Sequence, residues 1–113
     1  MLRTKLIAGN WKMYKTPDQT RDFLHAFLPL VAQHDRDQIV VCPPFVDLQT
    51  AVDAAKGSNV AIGSQNLHWA DEGAFTGETS PLVLHAIGVT HCIIGHSERR
   101  QYCGETEIGR AHV

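Results

Sequence analysis

The hydrophobic positions of the chain fall into four short apolar runs, separated by stretches in which apolar residues recur every three or four positions. The short runs are predicted β-strands at residues 5–9, 38–42, 60–65 and 90–94. The stretches between them have the spacing of amphipathic helices, so the predicted order is βαβαβαβ. Apolar strands that alternate with helices are typical of a parallel sheet with helices on the outside.

Capping residues and breakers set the predicted helix limits. Thr16 is followed three residues later by Gln19, which is the spacing of a capping box at a helix start. Pro29 lies inside the apolar pattern of this helix, and we expect it to kink the helix or to end it early. A long polar loop over residues 66–79 precedes a further helix predicted over residues 80–88.

Two closures of such a sheet are possible, a doubly wound open sheet or part of a (β/α)8 barrel. A dinucleotide-binding fold carries a glycine fingerprint after its first strand, and Gly9-Asn10-Trp11-Lys12 is not one. This favours the barrel. A complete barrel needs roughly 250 residues, and the chain has 113.

Asn10 and Lys12 are the first candidates for chemistry, two positions apart at the end of the first predicted strand. Side chains alternate along a strand, so both point to the same side. An amide and an ammonium at the mouth of a barrel suit a phosphate or a developing oxyanion. The alternative is a solvated lysine beside an asparagine turn.

His96 follows the last predicted strand and begins a turn of helix. The positive end of a helix disfavours a charged imidazole, so a neutral ring that donates a hydrogen bond to a carbonyl fits this position. The alternative is a histidine that only caps the strand end. Glu98 can pair with Lys12 across the mouth or, equally, with Arg99 or Arg100 on the surface.

Composition narrows the class of protein. The chain is 43% hydrophobic and 19% charged, with a net charge of −2, which is typical of one small globular domain and gives no basic surface for nucleic acid or an anionic membrane. No signal peptide or membrane-spanning run is visible. Cys42, Cys92 and Cys103 are irregularly spaced, as expected of thiols in a reducing cytosol. No metal-ligand spacing appears, so we expect no metal site.

Four motifs together resemble the triosephosphate isomerase family. They are Gly9-Asn10-Trp11-Lys12-Met13, Gln65-Asn66, Gly73-Ala74-Phe75-Thr76-Gly77-Glu78 and Ile94-Gly95-His96-Ser97-Glu98-Arg99-Arg100. They occur in the family's order and spacing from near the start to about Glu105. The resemblance implies an α/β fold that is the N-terminal half, about four βα units, of a (β/α)8 TIM barrel with parallel strands.

The resemblance also implies an intramolecular isomerase that interconverts dihydroxyacetone phosphate and glyceraldehyde 3-phosphate through an enediolate, without a cofactor. Asn10 and Lys12 would bind the substrate, with Lys12 also acting in catalysis, and His96 would be the neutral electrophile on the carbonyl. Ser97 and Glu98 would orient the general base and the lysine.

The family resemblance further implies a cytoplasmic homodimer for the full-length parent. Thr76, in the third loop, would reach toward the partner subunit's active site. The only other partner expected is a triose phosphate substrate, with no nucleic acid and no membrane.

The family's general base, closing lid and glycine-rich phosphate loops belong to later barrel units that this sequence does not contain. We therefore expect this chain alone to be inactive, because it lacks the base that takes the proton and the lid that excludes water. We also expect an aggregating or loosely folded monomer, because the first and fourth strands would be open edges.

Residues 1–106 are predicted to form the partial barrel, whereas residues 107–113 depart from the family pattern. One back-translation of that tail, GAG ATC GGA AGA GCA CAC GTC, reads like a sequencing adapter, so we hypothesise that the tail is not biological. Two other functions stay open: a non-catalytic phosphate-binding or interaction module on a half barrel, and a different barrel enzyme acting on phosphosugars. The narrow first-strand and fourth-strand motifs argue against that other enzyme.

Overall fold

A computed structural model describes residues 3–106 as a parallel sheet with helices packed on its outer face. The strands are β1 (Leu6–Asn10), β2 (Gln38–Cys42), β3 (Val60–Ser64) and β4 (His91–Cys92). The helices are α1 (Pro17–Val31), α2 (Leu48–Ala55), α3 (Pro81–Ile87) and α4 (Ser97–Tyr102), with a 3₁₀ turn at Phe45–Asp47. None of the described helices is long and apolar enough to cross a membrane. The predicted tail, residues 107–113, lies outside the described residues.

The strands lie side by side in the order β1-β2-β3-β4, and all three neighbouring pairs are parallel. In a doubly wound sheet the strand order reverses around β1, which then lies inside the sheet. Here β1 is an edge and every crossover advances in the same direction. This is the arrangement of successive units in a barrel, so the predicted half-barrel fold is confirmed.

Local capping places the helix starts where the sequence predicts them. The Thr16 hydroxyl accepts the Gln19 backbone N–H at 3.2 Å, and the Gln19 side chain accepts the Thr16 N–H at 3.0 Å. Of the two effects expected of Pro29, the early end of α1 is wrong, because the helix runs on to Val31, and the kink stays a prediction. Pro29 is exposed in the last turn, so water can satisfy the carbonyl that loses its helical partner.

The fourth strand is shorter than predicted, two residues instead of the five over 90–94. β4 pairs only with β3, through His91 opposite Gly63 and Cys92 opposite Ser64. A strand with one neighbour is held only as far as that neighbour extends, and β3 ends at Ser64. The chain is then free to turn toward α4.

The two faces of the sheet differ in what covers them. The outer face carries Val41 and Ile62, which pack in the main core against Leu24 of α1 and Leu48 of α2. The inner, concave face carries smaller side chains, and Gly63 lies among Val40, Cys42 and His91 there. At the β1 edge, by contrast, Leu6 is 47% exposed and Ile7 is 56% exposed.

Candidate active site

The polar residues singled out in the sequence gather at the carboxyl edge of the sheet. Asn10 is the last residue of β1, Gln65 comes directly after β3, and His96 lies four residues beyond β4. Because the strands are parallel, their carboxyl ends all open on the same edge, where ligands bind in α/β proteins. The topology therefore places these side chains on one rim.

A direct ion pair crosses this rim between the loop after β1 and the start of α4. Lys12 Nζ lies 2.7 Å from Glu98 Oε1, with both side chains about half exposed. Of the pairings that the sequence left open for Glu98, the structure contains the one with Lys12. Arg99 instead binds Glu105 at 2.7 Å, and Arg100 donates to the Gly95 carbonyl at 3.0 Å.

The ion pair shifts the protonation of both partners toward their charged forms. The Glu98 carboxylate raises the pKa of the Lys12 ammonium, first by accepting its hydrogen bond and then through its charge. The hydrogen bond from Lys12 likewise lowers the pKa of the Glu98 carboxyl. Lys12 is therefore a fixed positive charge at the rim.

The backbone at Lys12 has an uncommon conformation that aims this charge. Its φ is +54°, in the left-handed region, where a residue with a Cβ pays on the order of 1–2 kcal/mol. The Lys12 N–H donates to Asn10 Oδ1 at 2.9 Å. That bond uses one of the two lone pairs of the Asn10 amide oxygen, and the two N–H groups of Nδ2 can donate to a ligand.

His96 is the N-cap of α4, and its ring orientation defines the tautomer. Its Nδ1 accepts the backbone N–H of Glu98 at 3.1 Å. An acceptor Nδ1 carries no proton, so the proton of the neutral ring is on Nε2, which becomes a donor. Glu98 Oε2 is 3.7 Å from the same Nδ1, too far for a hydrogen bond, so the backbone contact sets the tautomer.

The other two residues named from the family resemblance make none of the contacts described above. Ser97 is the exposed first residue of α4. Thr76 lies in the exposed part of the loop over residues 66–79, whose ends are tied by the His68 N–H donating to the Thr79 carbonyl at 2.7 Å. The roles of both residues stay predictions.

Gln65 makes contacts that sequence reasoning did not assign. Its side-chain amide donates to the Lys12 carbonyl at 2.7 Å and to the Cys42 carbonyl at 2.9 Å. Its place at the carboxyl end of the third predicted strand was the available signal, because that position shares the rim with Asn10 and His96. The partners themselves are backbone atoms of distant segments, which no local pattern reveals.

The described residues were also compared with what a metal site or a reactive thiol requires. Within residues 3–106, no group of three or more His, Cys, Asp or Glu side chains is placed to hold a metal ion. The three cysteines are free thiols, and burial raises the pKa of Cys42 to about 11. The rim therefore offers ammonium, amide and imidazole donors to a ligand.

A family profile and two related proteins compared with this chain carry the same description. A sequence profile described as triosephosphate isomerase matches residues 5–110. The triosephosphate isomerase of Solibacter usitatus is 56% identical over 106 residues, covering 94% of this chain and 43% of that protein. The enzyme of the same name from a Picosynechococcus species is 53% identical over 107 residues, covering 94% of this chain and 44% of the relative.

Solved structures show the same likeness in three dimensions. The crystal structure of triosephosphate isomerase from Bartonella henselae superposes with a TM-score of 0.85 at 36% sequence identity. It covers 92% of this chain, which in turn covers 43% of that structure. The chain thus spans less than half the length of the relatives that it matches.

Proposed function

The chain belongs to the triosephosphate isomerase family, and from that premise we propose that its rim is the substrate-binding and electrophilic part of an isomerase that interconverts dihydroxyacetone phosphate and glyceraldehyde 3-phosphate. One observation carries the proposal. Glu98 binds the Lys12 ammonium through its carboxylate and fixes the His96 ring through its backbone N–H. A single residue thereby sets a positive charge and a neutral N–H donor on the same rim.

These groups suit the enediolate chemistry. The Nε2–H of His96 donates to the substrate carbonyl oxygen and polarises it, so that the proton on the neighbouring carbon becomes more acidic. Negative charge then develops on that oxygen, and the Lys12 ammonium stabilises it together with the phosphate. The Asn10 amide N–H donates to the bound substrate. None of these steps needs a cofactor.

The proton on carbon requires a general base from another part of the enzyme. Glu98 and Glu105 are both held in ion pairs, with Lys12 and Arg99 respectively. Each carboxylate is already hydrogen-bonded to a cation and oriented by it, so neither is suited to take a proton from carbon. We propose that the base lies in the part of the family enzyme that this chain does not cover.

The proposed assembly is a homodimer in the cytoplasm. The loop over residues 66–79 supports this proposal, because Trp69 is 65% exposed and Phe75 is 45% exposed there, and large apolar side chains on an exposed loop are suited to an interface. Thr76 would then contact the partner subunit's active site. The free thiols of Cys42, Cys92 and Cys103 fit a reducing compartment.

A hybrid enzyme tests the proposed activity. Residues 1–106 of this chain are joined to the remainder of the Solibacter usitatus triosephosphate isomerase and purified from a host that lacks its own enzyme. We expect this hybrid to isomerise glyceraldehyde 3-phosphate, and the 113-residue chain alone to give no turnover. A folded but inactive hybrid would contradict the proposal. If the isolated chain then bound inorganic phosphate or a phosphosugar, the non-catalytic module would replace it.

A further inference from the structure

Gln65 occupies a junction between three strands. It follows β3 directly, and its amide nitrogen donates to the Lys12 carbonyl in the loop after β1 and to the Cys42 carbonyl at the end of β2. Both protons of the amide are therefore used on backbone oxygens. The Cys42 carbonyl also accepts the Trp11 N–H at 3.1 Å, so Gln65 completes a small network under the loop that carries Lys12.

Lys12 needs such support because its backbone is in a conformation that a lysine does not prefer. Its φ of +54° persists only where the surroundings hold it. The Asn10 side chain accepts the backbone N–H of Lys12, and the Gln65 side chain donates to the backbone carbonyl of Lys12. The contact with Asn10 is local, whereas the contact with Gln65 crosses 53 positions of sequence and ties the loop to the sheet.

We infer that Gln65 is a positioning residue, which holds the left-handed backbone of Lys12 so that its ammonium meets Glu98 at the rim. This inference deepens the proposed function and rests on it for the role of Lys12 with a substrate. The positioning itself is a property of the chain and can be measured without turnover.

Removing the amide donors while keeping the side chain's size isolates this role. In Gln65→Met the Lys12 carbonyl loses its side-chain donor, so Lys12 can relax to a negative φ. The Cα–Cβ bond then points in another direction, and the ammonium leaves Glu98 Oε1. Gln49→Met is the matched control, because Gln49 donates to Asp53 within α2 and is remote from the loop.

The experiment follows the titration of Lys12 in the hybrid enzyme by NMR, with lysine labelled at Cε, because the isolated chain is expected to associate or to fold loosely. Lys12→Arg assigns the resonance. We expect Gln65→Met to move the Lys12 midpoint down toward its value in the urea-denatured chain, and Gln49→Met to leave it in place. Gln65→Asn, whose amide reaches less far, gives the same direction of shift if the Met variant does not fold.

Two results would overturn the inference. One is a Gln65 variant that melts at a lower temperature but keeps the parent's Lys12 midpoint, which is the behaviour of a merely structural contact. The other is a parent chain in which Lys12 already titrates as it does in urea.

Kinetics in the hybrid enzyme connect the positioning to the reaction. There, Gln65→Met should lower kcat/KM by about 10- to 100-fold, the cost of a small misplacement, whereas Gln49→Met should not. Unchanged kcat/KM with Gln65→Met would overturn the relevance of the Gln65 contact to the reaction. An inactive hybrid with an intact Gln65 effect on the titration would instead count against the proposed function alone.

Discussion

At the level of single residues, one glutamate makes two of the contacts that form the site, one with its side chain and one with its backbone. Glu98 contacts Lys12 with its carboxylate and His96 with its backbone N–H. The two contacts are chemically independent, since a change of side chain leaves the backbone donor in place. Substitutions at Glu98 can therefore separate the charge at the rim from the tautomer of the histidine.

Glu98→Gln should change the pH dependence of stability in a defined direction. The pKa of Glu98 is lowered in the folded chain, so its stabilising effect is present above the unfolded pKa and is lost as pH falls through the folded one. The pKa of Lys12 is raised, so its contribution is complete below its unfolded pKa and is lost as pH rises through the folded one. The parent's advantage over the variant, measured by urea unfolding, should be largest near neutral pH.

Lys12→Met supplies the control for this measurement. In a chain that already lacks the ammonium, Glu98→Gln should lose most of its effect on the pH profile, because Lys12 is the main cause of the lowered Glu98 pKa. A difference between parent and Glu98→Gln that is constant from acid to alkaline pH would show that the pair does not form.

Asp47 presents the opposite case, a carboxyl group buried without good partners. It is fully buried, and neither oxygen has a hydrogen bond of good geometry within the described chain. Burial raises its pKa, and the nearby Thr20 hydroxyl only moderates the effect. A raised folded pKa means that stability is lost as pH rises from the unfolded to the folded value.

Asp47→Asn should therefore stabilise the chain at neutral pH, by about 1 kcal/mol, because an amide avoids the cost of a buried charge. The gain should vanish below about pH 4, where the unfolded carboxyl is itself protonated. Free energies of unfolding of both chains across this range test the prediction. A variant that is less stable at neutral pH would mean that Asp47 has a favourable partner in solution.

The sequence predicts the rim residues better than it predicts their supports. Asn10, Lys12 and His96 could be proposed because polar side chains directly follow apolar runs. The role of Gln65 depends on the carbonyl of a residue 53 positions away, and the burial of Asp47 depends on the packing of helices around it. Such contacts are products of the tertiary fold, so no local pattern contains them.

At the scale of elements, the helix limits were predictable where capping is local. The Thr16–Gln19 capping box is confirmed, and so is the end of α3, where Gly88 adopts a φ of +101°. The length of β4 was not predictable, because it depends on where β3 ends. Close packing between strands also depends on residues that are distant in the sequence. Gly63 of β3 is an example, because side chains of the neighbouring strands leave no room for a Cβ there.

Gly63→Ala should destabilise the sheet at a defined contact. A Cβ at this position would lie 2.8 Å from Cys42 Sγ, 3.2 Å from Val40 Cγ1 and 3.3 Å from His91 Cβ. Overpacking of this kind costs about 1–3 kcal/mol. Thermal or urea unfolding measures the loss, and Cys42→Ala should reduce it by removing the closest atom. An equal loss with and without Cys42 would contradict this explanation.

At the scale of the whole molecule, the consecutive parallel strands and the family match agree on a half barrel. The expectation that the isolated chain associates or folds loosely stays a prediction. Leu6 and Ile7 support it, since both are about half exposed on the edge strand β1 and unpaired edges recruit other chains. The candidate site, by contrast, is confined to the carboxyl rim of the sheet.

A double-mutant cycle in the hybrid enzyme tests whether Lys12 and His96 act together on one substrate. Lys12→Met and His96→Leu should each lower kcat/KM by about 10²–10³-fold. Because both groups stabilise the same developing oxyanion, the double variant should lose less than the product of the two single losses. Single variants that retain the hybrid's kcat/KM, or losses that multiply independently, would contradict the account.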